Sequence, residues 1–409
     1  MIEIMAPAGS YESLMAAIQG GADSVYFGAG QLNMRSKSSQ NFTLSDIEKI
    51  AKICKEHNVR SYLTLNSIIY DQELDEMKSV IEIAQKSGIT AIIASDLSVI
   101  TFAHSIKMEV HISTQCNITN LSAVRFFSQF ADVMVTAREL SLNQVSEITK
   151  GIERDQIKGP SGELVSIEIF AHGALCMAVS GKCYLSLDNY NYSANRGACL
   201  QLCRRPYKVT DLDGKTELSV DNKYIMSPKD LKTIDFIDKI LDAGVKVLKI
   251  EGRGRSPEYV KTVTQCYKEA SLAYASNQIT EEVIENWNNR LATVYNRGFW
   301  DGYYLGKKTG EWSEKYGSQA TQHKVYVGKI TNYFAKINVA EIKIEAETLS
   351  TGDNILIIGE STGVYEDTVS EIRFNLNPVE KVEKGVLCSI ATKSLVRRND
   401  KLYKIIEGN

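Results

Sequence analysis

The chain has 409 residues, 44% of them hydrophobic, and 47 Lys and Arg against 50 Asp and Glu give a formal net charge of −3. This length supports one large domain and a smaller one with ample core. The near-neutral balance excludes nucleic-acid binding by bulk positive charge, so any RNA site has to be local. No run of about 18 apolar residues occurs, so no membrane span is expected. The opening MIEIMAPAGS lacks a basic region followed by an apolar stretch. It does not read as a signal peptide, and the chain is expected in the cytoplasm, where thiols stay reduced and structural disulfides are rare.

Short β-branched runs alternate with amphipathic stretches from the start. Strands are expected at residues 2–6, 24–27, 59–66, 90–95, 109–114, 132–136, 165–170 and 247–251. Helical spacing appears between them: Ile47, Ile50, Ala51 and Cys54 recur over 44–57, and Leu74, Met77, Ile81 and Ala84 over 72–85. Eight strand–helix repeats over about 250 residues imply a (β/α)8 TIM-like barrel rather than an open sheet. The expected domains are a barrel at 1–322 and a second unit at 323–409.

After the seventh strand the alternation breaks. A cysteine-rich insertion, about 171–220, is expected to follow Phe170 directly, and DLDGKTEL at 211–218 reads as a hairpin with an Asp-Gly turn. Cys176, Cys183, Cys199 and Cys203, half of the eight cysteines, fall within 28 residues at intervals of seven, sixteen and four. No Cys-x-x-Cys knuckle is present, which argues against an ordinary structural zinc site. Buried apolar cysteines, a disulfide, zinc and an iron–sulfur cluster all remain open. Gly173, Gly181 and Gly197 beside the cysteines would let backbone approach a bulky cluster, and Arg196, Arg204 and Arg205 could offset its negative charge. From Arg196 to Lys215 five basic residues face only Asp211 and Asp213. Such a run can be a plain solvated face or a phosphate contact.

A strand-to-helix connection in this fold opens on the carboxyl end of the barrel, so the insertion should border the active face. Polar residues at that rim are the natural functional candidates: Tyr26, Asn66, Asp96, Ser113 with Gln115, Arg138 with Glu139, His172, and Glu251 with Arg253. Arg35 joins them from the loop after the second strand. Gly28 and Gly30 in YFGAG are too sparse for a dinucleotide fingerprint. Gly252 and Gly254 precede a helix near Pro257, where amides and Arg253 or Arg255 could bind an anion. No His-Glu-x-x-His helix or Gly-x-Ser-x-Gly elbow is present.

Residues 256–318 read as helical, ending in the aromatic VYNRGFWDGYYLG, a strap packed on the barrel. From Val325 the pattern becomes short alternating strands (KVYVGKI, AEIKIEAE, DNILIIG, VYEDTVSEI, GVLCSIA, KLYKII) punctuated by glycines, which implies a small closed C-terminal β-barrel.

EIFAHGALCMAVSGKCYLS followed by NRGACLQLCR resembles the signature of peptidase family U-32, the collagenase-like proteins, and within it the tRNA hydroxylation branch. The likeness extends to APAGSYESLMAAIQGGADSVYFGAG, to RELSL at 138–142, to SPKDL at 227–231 and to LKIEGRGRSPEYV at 248–260, and so covers most of the chain. The resemblance implies a 4Fe-4S cluster on Cys176, Cys183, Cys199 and Cys203, with zinc as the runner-up. It also implies formation of 5-hydroxyuridine at the wobble uridine of tRNA with prephenate as co-substrate. On that expectation His172, Arg138, Arg253 and Glu251 are catalytic, and Arg35, Asn66, Gln115, Arg196, Arg204 and Arg205 bind substrate. Arg35, Arg138 and Arg253 would grip a dicarboxylate through charge-assisted hydrogen bonds. The family name implies the rival, a peptidase. A third possibility is a non-catalytic iron–sulfur or RNA-binding protein working beside a related subunit.

Overall fold

The computed structural model describes residues 2–37, 41–208, 225–306, 310–315 and 317–408. Parallel strands buried on both faces are written as near-continuous apolar runs, and these runs become β1 (Glu3–Pro7), β2 (Ser24–Phe27), β3 (Arg60–Leu65), β4 (Ala91–Ala94), β5 (Glu109–Ile112), β6 (Val133–Val135) and β7 (Ser166–Ala174). The short β8 (Asp230–Lys232) precedes β9 (Val247–Ile250), and β10 (Phe299–Trp300) ends this part of the chain. Strands β1 to β7 pair in order, all parallel, and β9 pairs with both β7 and β1. The eight-stranded (β/α)8 barrel is therefore closed.

The connecting helices are α1 (Tyr11–Gln19), α2 (Asp46–Glu56), α3 (Leu74–Ser87), α4 (Leu97–Ser105), α5 (Leu121–Phe127) and α6 (Leu142–Arg154). The expected apolar stripe of α2, Ile47, Ile50, Ala51 and Cys54, is its buried face. Side-chain caps start several helices where the chain offers an oxygen: Ser10 accepts from Ser13 N, Asp96 from Ser98 N, and Ser141 with Gln144 forms a capping box.

One expectation is corrected at the seventh strand. The insertion does not begin after Phe170, because β7 runs on to Ala174, and the chain returns as β8 antiparallel to that extension, with Ala174 opposite Asp230. A register shift lies between Phe170 and His172 where β7 meets β9, so the two-residue alternation of facing breaks there. The hairpin expected at 211–218 lies outside the described residues. Among its described residues the insertion holds one short α-helix, α7 (Leu185–Tyr190), with single 3-10 turns at Ala194–Arg196 and Leu202–Arg204.

Beyond it come α8 (Ile237–Asp242), α9 (Pro257–Ala275) and α10 (Glu281–Thr293). The described residues of the region 256–318 are thus two helices followed by β10 and irregular chain, not helical throughout. Trp300 and Tyr304 in the aromatic strap are buried, and the Tyr304 hydroxyl donates to Phe170 O at 2.9 Å.

The C-terminal strands are β11 (Gln322–Phe334), β12 (Val339–Ile344), β13 (Leu349–Ser350), β14 (Asn354–Gly359), β15 (Gly363–Thr368), β16 (Ile372–Phe374), β17 (Asn377–Val379), β18 (Lys381–Val382), β19 (Leu387–Ala391) and β20 (Lys401–Glu407). Eight of them form one antiparallel sheet wrapped on its own apolar core, while β13 and β18 pair separately. The all-β character is as expected, but the described hydrogen-bond ladder ends at β15 and β17 without joining them. This sheet docks on α1 and α9: Gln19 Nε2 donates to Thr362 O at 2.8 Å, Lys261 pairs with Glu366 and Lys324 with Glu258. Leu356, Ile358 and Val364 join the barrel's hydrophobic core. No described helix is long and apolar enough to cross a membrane.

Candidate active site

A cavity of about 280 Å³ lies where the carboxyl ends of the barrel strands meet the insertion. The loop after each strand delivers one side of it: Arg35 after β2, Asn66 after β3, Gln115 after β5, Arg138 after β6 and Glu251 with Arg253 after β9. The insertion supplies the other wall with Cys176, Cys183, Cys199, Cys203 and Arg204.

Glu251 is the hub of the rim. Its Oε1 accepts from Arg35 Nη2 at 3.2 Å and its Oε2 from the Tyr26 hydroxyl at 3.1 Å. Burial alone pushes this carboxyl up, yet the charges of Arg35, Arg138 and Arg253 hold it below the ordinary carboxylate range. Tyr26 is pushed far up, first by burial and then by Glu251, and stays a neutral donor. Arg253 is buried, with Nη1 donating to Asn33 Oδ1 at 3.1 Å and Thr64 Oγ1 at 3.0 Å; burial pulls it down to about 10. A Cβ on Gly28 would stand 2.4 Å from Arg253 Nη1. The YFGAG glycine therefore makes room for a guanidinium. Arg138 lies 3.8 Å over the Phe170 ring, and its Nε is buried without a hydrogen-bond partner among the described residues.

Deeper in the barrel Lys249 and Glu168 form a buried ion pair at 2.8 Å, with Lys249 4.6 Å from the Tyr26 ring centre and Glu168 Oε2 without a hydrogen-bond partner among the described residues. Sequence reasoning missed Lys249 because it occupies a strand interior. Its place at alternate positions with Leu248 and Ile250 was the available signal, since a lysine in a fully buried strand needs a partner.

Seven cations line the cavity. They are Arg35, Arg138, Arg204, Lys249, Arg253, Arg255 and Arg297. Glu251, Glu168 and Asp230 pair with four of them, and the difference is four positive charges.

Three expected residues stand elsewhere. His172 is buried but turned from the cavity by the register shift in β7, against Tyr267, whose hydroxyl is 3.4 Å from Nδ1, and beside Tyr259 and Phe299. Burial, then Lys232 and Arg255, lower it to about 3, so it is a neutral packing residue. Arg196 is spent on Glu73, which it grips through both nitrogens, and on Ile68 O at 2.6 Å, so it clamps the insertion to the loop after β3. Arg205 is exposed and outside the cavity, with Nη1 donating to the Tyr190 hydroxyl at 3.3 Å. Arg204 lines the cavity, but its donors go to Ser227, Pro228 O and Leu175 O and tie the insertion down. Gly197 also serves packing on the barrel side: at φ +75°, its Cβ would stand 2.1 Å from Ser36 Oγ.

The four insertion thiols are free, and all line the one cavity. Cys203 is raised by burial first, opposed by Arg204, with Cys176, Cys199 and Cys183 adding to the rise. Among the described residues no three His, Cys, Asp or Glu converge as the ligands of a single metal ion. A zinc site gathers four donors at about 2.0–2.3 Å round one point, whereas a 4Fe-4S cluster takes one thiolate at each of four separate irons. Four free thiols round one hollow match such a cluster in donor kind and number.

Fold and site together define a (β/α)8-barrel protein in which a cysteine-bearing insertion walls a cationic cavity at the carboxyl face. The model of the family described as Peptidase family U32 matches residues 9–314. The chain belongs to that family. It is 60% identical over 402 residues to a protein of Porphyromonas gingivalis named collagenase, covering 98% of this chain and 97% of that one. It is 29% identical to tRNA hydroxylation protein P1 of Bacillus subtilis, covering 90% and 86%. It is also 30% identical to the 23S rRNA 5-hydroxycytidine C2501 synthase of Escherichia coli, covering 90% of this chain and 55% of that one. The chain is an enzyme, with relatives named for two kinds of chemistry.

Proposed function

We propose that the chain is an RNA-hydroxylating enzyme that forms 5-hydroxyuridine at the wobble uridine of tRNA, uses prephenate or a similar dicarboxylate as co-substrate and holds a 4Fe-4S cluster on Cys176, Cys183, Cys199 and Cys203. The observation that carries the reading is the pairing, in one cavity, of four thiols with an arginine rim organised round Glu251. A cluster with four thiolate ligands has a net charge of about −2. Against four excess positive charges this leaves about two, the charge of a dicarboxylate.

Such a cluster would supply electron-transfer chemistry beside the substrate. The chain's own groups have separate tasks. Glu251, held ionised, fixes the plane of Arg35 and receives the Tyr26 hydroxyl, so the rim is preorganised before substrate arrives. Arg138, with an unsatisfied buried Nε, and Arg253 offer donors to carboxylates. Asn66 and Gln115 line the same barrel side, where amides suit the polar edge of a pyrimidine.

The collagenase-named relative at 60% identity favours peptidase chemistry as the second reading. No histidine lines the cavity, and Glu251, surrounded by arginines, is a weak base. Neither a nucleophile–base pair nor a metal–water site is assembled there among the described residues. The two readings separate in cells lacking the protein: mass spectrometry of tRNA nucleosides should show loss of wobble 5-hydroxyuridine, and an unchanged level would overturn the proposal.

A further inference from the structure

A second hollow, about 680 Å³, lies on the outer side of the insertion, and Cys199, Gln201, Arg204 and Arg297 belong to the walls of both hollows. Its charged lining is Lys37, Arg204, Arg205, Arg297 and Lys315, with no carboxylate among the described residues. Arg204 is spent on Ser227 and two carbonyls and Arg297 on Asp230. Lys37, Arg205 and Lys315 are exposed, and the two lysine side chains have no partner among the described residues.

The same insertion carries Tyr184, Tyr190 and Tyr192 at 74%, 50% and 45% exposure. Three solvent-facing tyrosines on and beside the short helix α7 gain nothing for it in folding. Arg205 couples the two features, with its guanidinium 5.9 Å from the Tyr190 ring centre and a hydrogen bond to that hydroxyl.

We infer that this hollow and the insertion's exposed tyrosines beside it form the channel for a single-stranded RNA segment flanking the base that enters the thiol-lined cavity. The inference rests on the reading of the enzyme as an RNA hydroxylase and names the surface that presents its substrate. Lys37, Arg205 and Lys315 take phosphates, while the tyrosine rings stack on unpaired bases, the combination that distinguishes single-strand recognition from duplex binding. An acidic peptide would use the cations and leave the rings idle. The target base has to leave its neighbours to be modified, and the shared wall between the hollows puts flanking nucleotides within reach while it does so. Arg196, the most prominent basic residue of this segment by sequence, has no part because Glu73 already holds it.

The test uses the cluster-loaded full chain and a fluorescent anticodon stem–loop with an unmodified wobble uridine, its Kd measured across a series of salt concentrations. Neutralising three phosphate contacts (Lys37→Gln, Arg205→Gln, Lys315→Gln) should weaken binding at least about tenfold and reduce the steepness of log Kd against log salt by about 2. Tyr190→Ala should weaken binding about tenfold and leave that slope unchanged, because stacking releases no counterions. Unchanged affinity and slope in the triple variant, with wild type binding well, would overturn the channel and leave the hydroxylase reading intact. Competition by polyglutamate equal to that by single-stranded RNA would overturn it in favour of an acidic protein partner. Failure of the wild type to bind the stem–loop at all would overturn both.

Discussion

The two walls of the cavity are built on opposite principles. The barrel wall is fixed several times over: Arg253 by Asn33 and Thr64, Arg35 by Glu251, Tyr26 by Glu251 and the Ile250 carbonyl, all standing at the ends of buried parallel strands. Among its described residues the cysteine wall has one six-residue α-helix and a handful of buried apolar residues, and arginine clamps help to tie it down, Arg196 on Glu73 and Arg204 on Ser227, Pro228 and Leu175. Charges preorganised on a scaffold suit transition-state stabilisation. A wall whose thiols need something to gather them suits a bound group whose affinity contributes to local folding. The difference teaches that the rim should survive loss of the insertion's ligand, and that the insertion should not.

Breaking the cysteine wall should have the largest effect. Cys199→Ser is expected to abolish hydroxylation and strip most of the iron, read by metal analysis, while circular dichroism of the barrel stays unchanged. Concerted loss of the barrel signal would show the two walls to be one unit. On the other wall, Arg138→Ala should lower hydroxylation on the order of a hundredfold with iron retained. Arg138→Lys should recover little of it, because a point charge cannot replace a planar fork.

A third variant sharpens the contrast within the barrel wall itself. His172 is held neutral with its value lowered to about 3, against about 6.5 in the unfolded chain. Between these values the unfolded state takes up a proton that the folded state does not. Stability present above pH 6.5 is therefore lost as pH falls, by about 2 kcal/mol at pH 5. His172→Phe, packed among Tyr259, Tyr267 and Phe299, should remove that part of the acid sensitivity in chemical denaturation. An identical pH profile would place His172 in contact with a charge or with water. The smallest effect is expected from Arg196→Ala, a loss of about 1 kcal/mol with lower iron occupancy and an unchanged KM for RNA. A raised KM with normal iron would return Arg196 to the substrate.

Legibility in the sequence followed the same division. Barrel strands could be read because burial on both faces writes them as apolar runs, and rim residues because the carboxyl ends of those runs bring Arg35, Arg138 and Arg253 together whatever their separation. His172 was misplaced because a single register shift after Phe170 defeats any count by twos. Arg196 stands away from the cavity because its partner, Glu73, is brought to it only by the folded chain, and Arg204, though it lines the cavity, also ties down Ser227, Pro228 and Leu175. Lys249 was overlooked because a strand pattern reports facing but not the carboxylate, here Glu168, that makes a buried lysine tolerable.

The central claim is that the thiol wall and the arginine rim together hydroxylate RNA with a dicarboxylate as co-substrate. Its most direct test is mass spectrometry of nucleosides from unmodified tRNA incubated with anaerobically cluster-reconstituted protein, with and without prephenate. The account predicts 5-hydroxyuridine at the wobble position only when prephenate is present, and none from the Arg138→Ala variant. Absence of the nucleoside from complete reactions, together with cleavage of collagen by the same preparation, would contradict it.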